Sequence, residues 1–156
     1  MLRRLFKDWQ TVETPTTVGR QVGAVPYAYV DGRMALLLVT SRRSGRWIFP
    51  KGAIEPNMTA WESAALEAFE EAGVLGEIEQ TPIGCYRAVA GNGGTKLTDI
   101  DLYPLHVTQQ LDMWKEKDQR LRHWVTIREA RRLLAHRQLA DLVAEFHNSR
   151  AGRRSA

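Results

Sequence analysis

The sequence predicts a single α/β domain, and three observations carry that reading. Its 156 residues, 44% of them hydrophobic, suffice for one core and fall short of two. Short apolar runs rich in β-branched and aromatic residues are bounded by turn residues. Strands come before and between two segments of helical character, with no internal repeat. Residues 20–147 are expected to form the domain, after an extension over 1–19 and before a basic flexible tail over 148–156.

Taken in order, QVGAVPYAYV and MALLLVT read as strands joined by the tight turn Asp31-Gly32-Arg33, with Pro26 arguing for an edge or a bulge in the first. WIFP ends an arginine-rich loop as a short apolar segment. Thr59-Ala60-Trp61-Glu62 has the form of a capping box, so a helix starts near Ala60. Gly73 supplies a left-handed stop, which ends that helix near Ala72. IGCYRAV and DIDLYPLHV read as strands around AGNGGTK, whose GNGG lacks the spacing of a phosphate-binding loop and reads as a hairpin end. RHWV is a further strand. Thr126-Ile127-Arg128-Glu129 repeats the capping box and opens a helical region with apolar positions Ile127, Leu133, Leu134, Leu139, Leu142, Val143 and Phe146.

Composition narrows the function classes. The net charge is +4, but residues 1–20 carry +2 and residues 148–156 carry +3, leaving −1 for 21–147. A nucleic-acid-binding face is therefore not indicated. The one cysteine, Cys85, excludes an internal disulfide and reads as a buried structural thiol, which suits a reducing compartment and a cytoplasmic location. No stretch approaches the ~20 apolar residues of a membrane span, so no membrane partner is expected. His106, His123, His136 and His147 show no metal-ligand spacing. Trp114 could stack on a nucleobase, whereas Trp124, within a strand, reads as core.

Within the domain the charge is segregated. SRRSGRWIFPK gathers Arg42, Arg43, Arg46 and Lys51, whereas Gly52 to Tyr86 contains seven glutamates and neither Lys nor Arg. In EAFEEAGV, a wheel of about 100° per residue puts Glu67, Glu70 and Glu71 within an arc of about 100°. Trp61, Ala65, Ala68, Phe69 and Ala72 fall opposite, toward the core. Three carboxylates so placed repel one another, and no lysine at i+4 relieves them. A charged run is more often a solvated helix face. Hard oxygen ligation of Mg²⁺ or Mn²⁺ is the alternative that resolves the repulsion, and the adjacent cationic loop would then suit a phosphate.

GAIEPNMTAWESAALEAFEEAGV resembles the Nudix box, G-x5-E-x7-R-E-U-x-E-E-x-G-U with U aliphatic. Gly52, Glu67, Glu70, Glu71, Gly73 and Val74 fall in register, and Ala68 takes the internal U position. GRWIFPKGAIEP and LDMWKEKDQRLRHWV resemble the flanking segments of diphosphoinositol polyphosphate and diadenosine polyphosphate hydrolases. The resemblance implies a Nudix-type α/β/α sandwich with a mixed sheet, and hydrolysis of a nucleoside or inositol diphosphate linked to a further moiety. It also implies that Glu67, Glu70, Glu71 and the Gly52 carbonyl bind one or more Mg²⁺ or Mn²⁺ ions. Arg20, Ser41, Arg42, Arg87, Arg120 and Arg122 would meet the remaining phosphates of a small phosphorylated substrate. Lys51 is balanced between phosphate and solvent. Glu71 is the candidate base within the box. Nothing in the pattern sets an oligomeric state.

Two positions depart from the box. Met58 stands where it has a glutamate and Leu66 where it has an arginine, so an apolar contact is expected in place of an ion pair. A metal, rather than an arginine, is then expected to hold the glutamates together. The departures leave two readings beside the hydrolase: a weakened Nudix domain that senses a phosphorylated ligand, and an RNA 5′-end pyrophosphohydrolase. The near-neutral middle of the chain disfavours the latter.

Overall fold

MALLLV is apolar at every position because both of its faces are covered. The computed structural model describes residues 17–90 and 96–154. Its strands are β1 (Thr17–Val30), β2 (Arg33–Thr40), β3 (Trp47–Ile48), β4 (Lys51–Ala53), β5 (Val74–Ile78), β6 (Gly84–Ala90), β7 (Lys96–Gln110) and β8 (Arg122–Thr126). Its helices are α1 (Ala60–Glu67), α2 (Ile127–Leu133) and α3 (Arg137–Arg154), and α1 runs on into a π-helical turn over Ala68–Ala72. Along β2, Leu36 and Leu38 pack toward α2 and α3 while Leu37 and Val39 pack toward α1, and all four are fully buried.

The sheet is mixed. Its path is β3-β2-β1-β7-β5, with β8 on β2, β4 on β1 and β6 on β7. The β1–β7 pair is parallel, and the remaining pairs are antiparallel. Asp31 (φ 51°) and Gly32 (φ 78°) close the β1–β2 hairpin, both left-handed as its tight turn requires. One layer joins α1 and the π turn to the sheet through Ala64, Ala68 and Ala72 against Val22, Ala24 and Leu105. The other packs Leu134, Leu139, Val143 and Phe146 on Val25, Ile100 and Leu102. This is the expected α/β/α sandwich. Among the described residues no helix is long and apolar enough to cross a membrane.

Several expectations are corrected. Pro26 lies inside β1, buried and flanked by β7. Its missing N–H is tolerated because β1 changes partner there, from β4 at residues 21–23 to β2 at residues 27–30. Cys85 is exposed, since β6 is covered on the face of Tyr86 and Ala88 only. Strands β4 and β5 were not expected. Gly76 lets β5 bulge against β7: a side chain at 76 would run into the His106 carbonyl. Strand β1 spans Thr17–Val30, and the segment expected as a flexible tail continues α3 to Arg154, held by Arg150 on Glu79 at 2.6 Å. The GNGG loop and residues 1–16 lie outside the described residues.

Candidate active site

The carboxylate segment is fixed at its start by local chemistry and at its end by a distant one. Thr59 Oγ1 accepts the Glu62 N–H at 3.2 Å while Glu62 Oε2 accepts the Thr59 N–H at 2.9 Å, completing the capping box. Ser63, fully buried, accepts the Glu55 N–H at 3.0 Å and ties the preceding loop to α1. Met58 is 40% exposed, so this bond, more than an apolar contact of Met58, holds the loop. Ala64, Ala68 and Ala72 form the ridge that touches the sheet, leaving Phe69 at its flank, 38% exposed and not in the core as the wheel predicted. Gly73 (φ 66°) ends the π turn.

Segment 111–122 then satisfies the carbonyls that this ending leaves free. Glu70 O accepts the Glu116 N–H at 3.1 Å, Glu71 O accepts Trp114 Nε1–H at 3.1 Å and Ala72 O accepts Arg122 Nη1–H at 3.0 Å. Gly73 O accepts the Leu111 N–H at 2.8 Å. Arg122 stacks 3.8 Å from the centre of the Trp114 ring. Trp114 therefore packs on the helix end, and Trp124 is half-buried with its Nε1–H donated to Gln110.

A cavity of about 510 Å³ opens over this segment. Glu67, Glu70, Glu71 and Glu116 line it together with Arg42, Arg43, Lys51 and Lys115, and Ser41, Gly52 and Arg120 border it. Glu71 is 5% exposed; its Oε1 accepts from Arg120 Nη2 at 3.0 Å and its Oε2 from the Lys51 N–H at 3.3 Å. Burial pushes Glu71 up to about 7, against the opposing pull of Arg120. Burial likewise raises Glu67 and lowers Lys51. Arg120 also donates to Thr40 O at 2.9 Å and lies 3.4 Å from Glu116. Arg42 lies 3.4 Å from Glu116, and Lys115 lies 3.3 Å from Glu70. The expectation that no arginine holds the glutamates is thus corrected: Arg120 and Lys115, from segment 111–122, take the place of the missing box arginine.

Of the residues singled out from sequence, the cavity brings together Ser41, Arg42, Lys51, Gly52, Glu67, Glu70, Glu71 and Arg120. It does not include Arg20, paired with Asp101 at 2.8 Å, or Arg87, paired with Asp99 at 2.8 Å, or Arg122, stacked over Trp114. Glu116 and Lys115 were missed. The signal for Glu116 was its i,i+4 spacing from Arg120.

The donor set fits a hard divalent cation in kind: carboxylate oxygens beside a main-chain carbonyl. The Glu67 carboxylate lies so close on Gly52 that a Cβ there would overlap it, so only glycine leaves that approach open. As placed, Glu71 turns to Arg120 and Glu70 to Lys115, and no three acidic, histidine or cysteine side chains among the described residues converge as ligands.

The sandwich, the capped carboxylate helix and the charged cavity define a Nudix domain. Residues 19–146 match the family model described as NUDIX domain, and the chain belongs to the Nudix family. Nudix hydrolase 21, chloroplastic, of Arabidopsis thaliana is 32% identical over 152 residues, which cover 95% of this chain and 75% of that protein. Human diphosphoinositol polyphosphate phosphohydrolase 3-beta is 32% identical over 101 residues, covering 64% of this chain and 58% of that one. Among solved structures, a C. elegans Ap4A hydrolase binary complex aligns over 86% of this chain and 99% of its own, with a TM-score of 0.69 and 22% identity. The NUDIX domain of Shewanella oneidensis NrtR, complexed with ADP ribose, gives 0.57 at 17% identity, over 93% of this chain and 97% of its own. With relatives named as hydrolases along most of its length, the chain is an enzyme of the Nudix hydrolase type, a family in general use of divalent metal ions.

Proposed function

We propose that the protein is a divalent-metal-dependent hydrolase that cleaves a diphosphate linkage in dinucleoside polyphosphates, inositol pyrophosphates or related nucleoside diphosphate derivatives. The observation that carries this reading is the single cavity in which four carboxylates meet five cationic side chains. The names of two relatives, a diphosphoinositol polyphosphate phosphohydrolase and an Ap4A hydrolase, support the same substrate chemistry. Mg²⁺ or Mn²⁺, when bound, would polarise a phosphoryl oxygen and acidify a water. Glu67, Glu70, Glu71 and the Gly52 carbonyl are the groups to hold it. Arg42 and Lys51 bind the phosphates flanking the scissile one. Arg120 orients Glu71 from below, because its own charge is already shared among Glu71, Glu116 and Thr40 O. Burial raises Glu71 in the metal-free protein, and Glu71 is the candidate base within the box.

One observation favours a second reading, a ligand-sensing domain: Glu70 and Glu71 already have cationic partners, as in a site that binds a phosphorylated ligand without cleaving it. The test is incubation of purified protein with Mg²⁺ or Mn²⁺ and a panel of diadenosine polyphosphates, diphosphoinositol polyphosphates, nucleotide sugars and ADP-ribose. Products split at a diphosphate linkage support the hydrolase. Saturable binding without products supports the sensor, and neither result sinks both.

A further inference from the structure

The run of cations continues beyond the cavity. It shares Arg43 and Lys51 with a hollow of about 410 Å³ that adds Arg46 and His136. That hollow in turn shares Ala135 with a cleft of about 610 Å³ at the corner between α2 and α3. Arg128, Arg131, Arg132 and Arg137 line this corner against one carboxylate, Asp141. All four are exposed, and none makes an ion pair among the described residues.

Fold stability accounts for only part of this charge. Arg131 and Arg132 occupy the last turn of α2, where the helix dipole favours a cation. Arg128 sits in its first turn and Arg137 opens α3, and at those ends the dipole disfavours one. Arg128, Arg131 and Arg132, at i, i+3 and i+4, also repel one another along one face. A multiply charged anion in the corner offsets both costs. Guanidinium forks match phosphate oxygens, and cations in all three neighbouring hollows suit a chain of phosphates better than a single one.

We propose that the α2–α3 corner is a second anion subsite, which takes a polyphosphate group. Its source is either the far end of a substrate cleaved at Glu67–Glu71 or a separate polyphosphate effector. Only the first source rests on the hydrolase reading.

Two measurements test this. In the first, the ¹⁵N-labelled protein is titrated with tripolyphosphate in EDTA and amide shifts are followed. Amides of residues 128–141 should shift saturably, with affinity falling about tenfold or more in R131A/R132A and in Arg137→Gln, and staying unchanged in Arg33→Ala at the β1–β2 turn. Arg137→Gln should also raise Tm without ligand, as a misplaced cation is removed. Corner amides that do not move, or equal affinity in R131A/R132A, overturn the proposal. The second compares KM for dinucleoside tri- to hexaphosphates. A rise in R131A/R132A confined to the longest chains identifies the substrate's far end, whereas corner binding with KM unchanged throughout identifies an effector. If no substrate is cleaved, the hydrolase reading fails while the titration still decides the subsite.

Discussion

A carboxylate that is 5% exposed and titrates near 7 makes the fold sensitive to pH in a defined direction. In the unfolded chain Glu71 titrates at about 4.3, so the folded state holds its proton longer. Its contribution is fully present below about 4.3 and is lost as pH rises through 7. In EDTA, Tm should therefore fall between about pH 5.5 and 8, and Glu71→Gln should flatten the fall; an equally steep profile in that variant contradicts the assignment. Arg120→Ala leaves Glu71 buried beside no guanidinium. Urea denaturation should show a loss of about 3 kcal/mol at pH 8 and a smaller one at pH 5.5, where Glu71 is protonated. Gly52→Ala makes the complementary test. The Cβ meets the flexible end of Glu67, so stability should change little while Mn²⁺ affinity, read by calorimetry, falls about tenfold. At this scale the box residues were legible because their spacing is local. Arg120 was legible as a site residue but not in its role, because pairing with Glu71 spans 49 positions of sequence.

The helix and its π turn divide into a part that sequence encodes and a part that packing decides. Thr59 and Gly73 could be read as the ends because caps act within a turn of the chain. The π turn could not, since the carbonyls of residues 70–73 are satisfied from residues 111, 114, 116 and 122. Phe69 was misplaced for the same reason: a wheel assumes one regular helix, and the alanine ridge takes the sheet contact instead. Segment 111–122 thus couples the helix end to the cavity. Trp114→Phe keeps an aromatic ring beneath Arg122, though a smaller one, but removes the Nε1–H bond to Glu71 O. We expect a loss of about 1 kcal/mol by thermal denaturation and weaker Mn²⁺ binding; weakened stability with unchanged metal affinity would show that the segment supports the fold alone. Strands β4 and β5 escaped detection because one has three residues and the other holds a glycine that only its partner strand explains.

Across the whole molecule, the near-neutral charge of residues 21–147 conceals a sorted one. Three of the four carboxylates come from the helix and its π turn, whereas Arg42, Arg43 and Lys51 come from the loop and strand that precede it, and Lys115 and Glu116 come from the far side. A sequence sum cannot show such sorting, though the alternation of cationic and anionic stretches did. On the proposal that exposed Arg42 binds phosphate in ground and transition states alike, Arg42→Ala should raise KM about tenfold with kcat near wild type, by steady-state kinetics. The central claim, that these glutamates hold a divalent cation which supports diphosphate cleavage, is tested most directly by turnover of the best panel substrate. Wild type, Glu70→Gln and Glu71→Gln are compared with Mn²⁺ and in EDTA. The expected result is turnover in wild type with Mn²⁺ only, and a loss of at least about a hundredfold in each variant. Turnover that survives EDTA, or that either variant retains, would contradict the account.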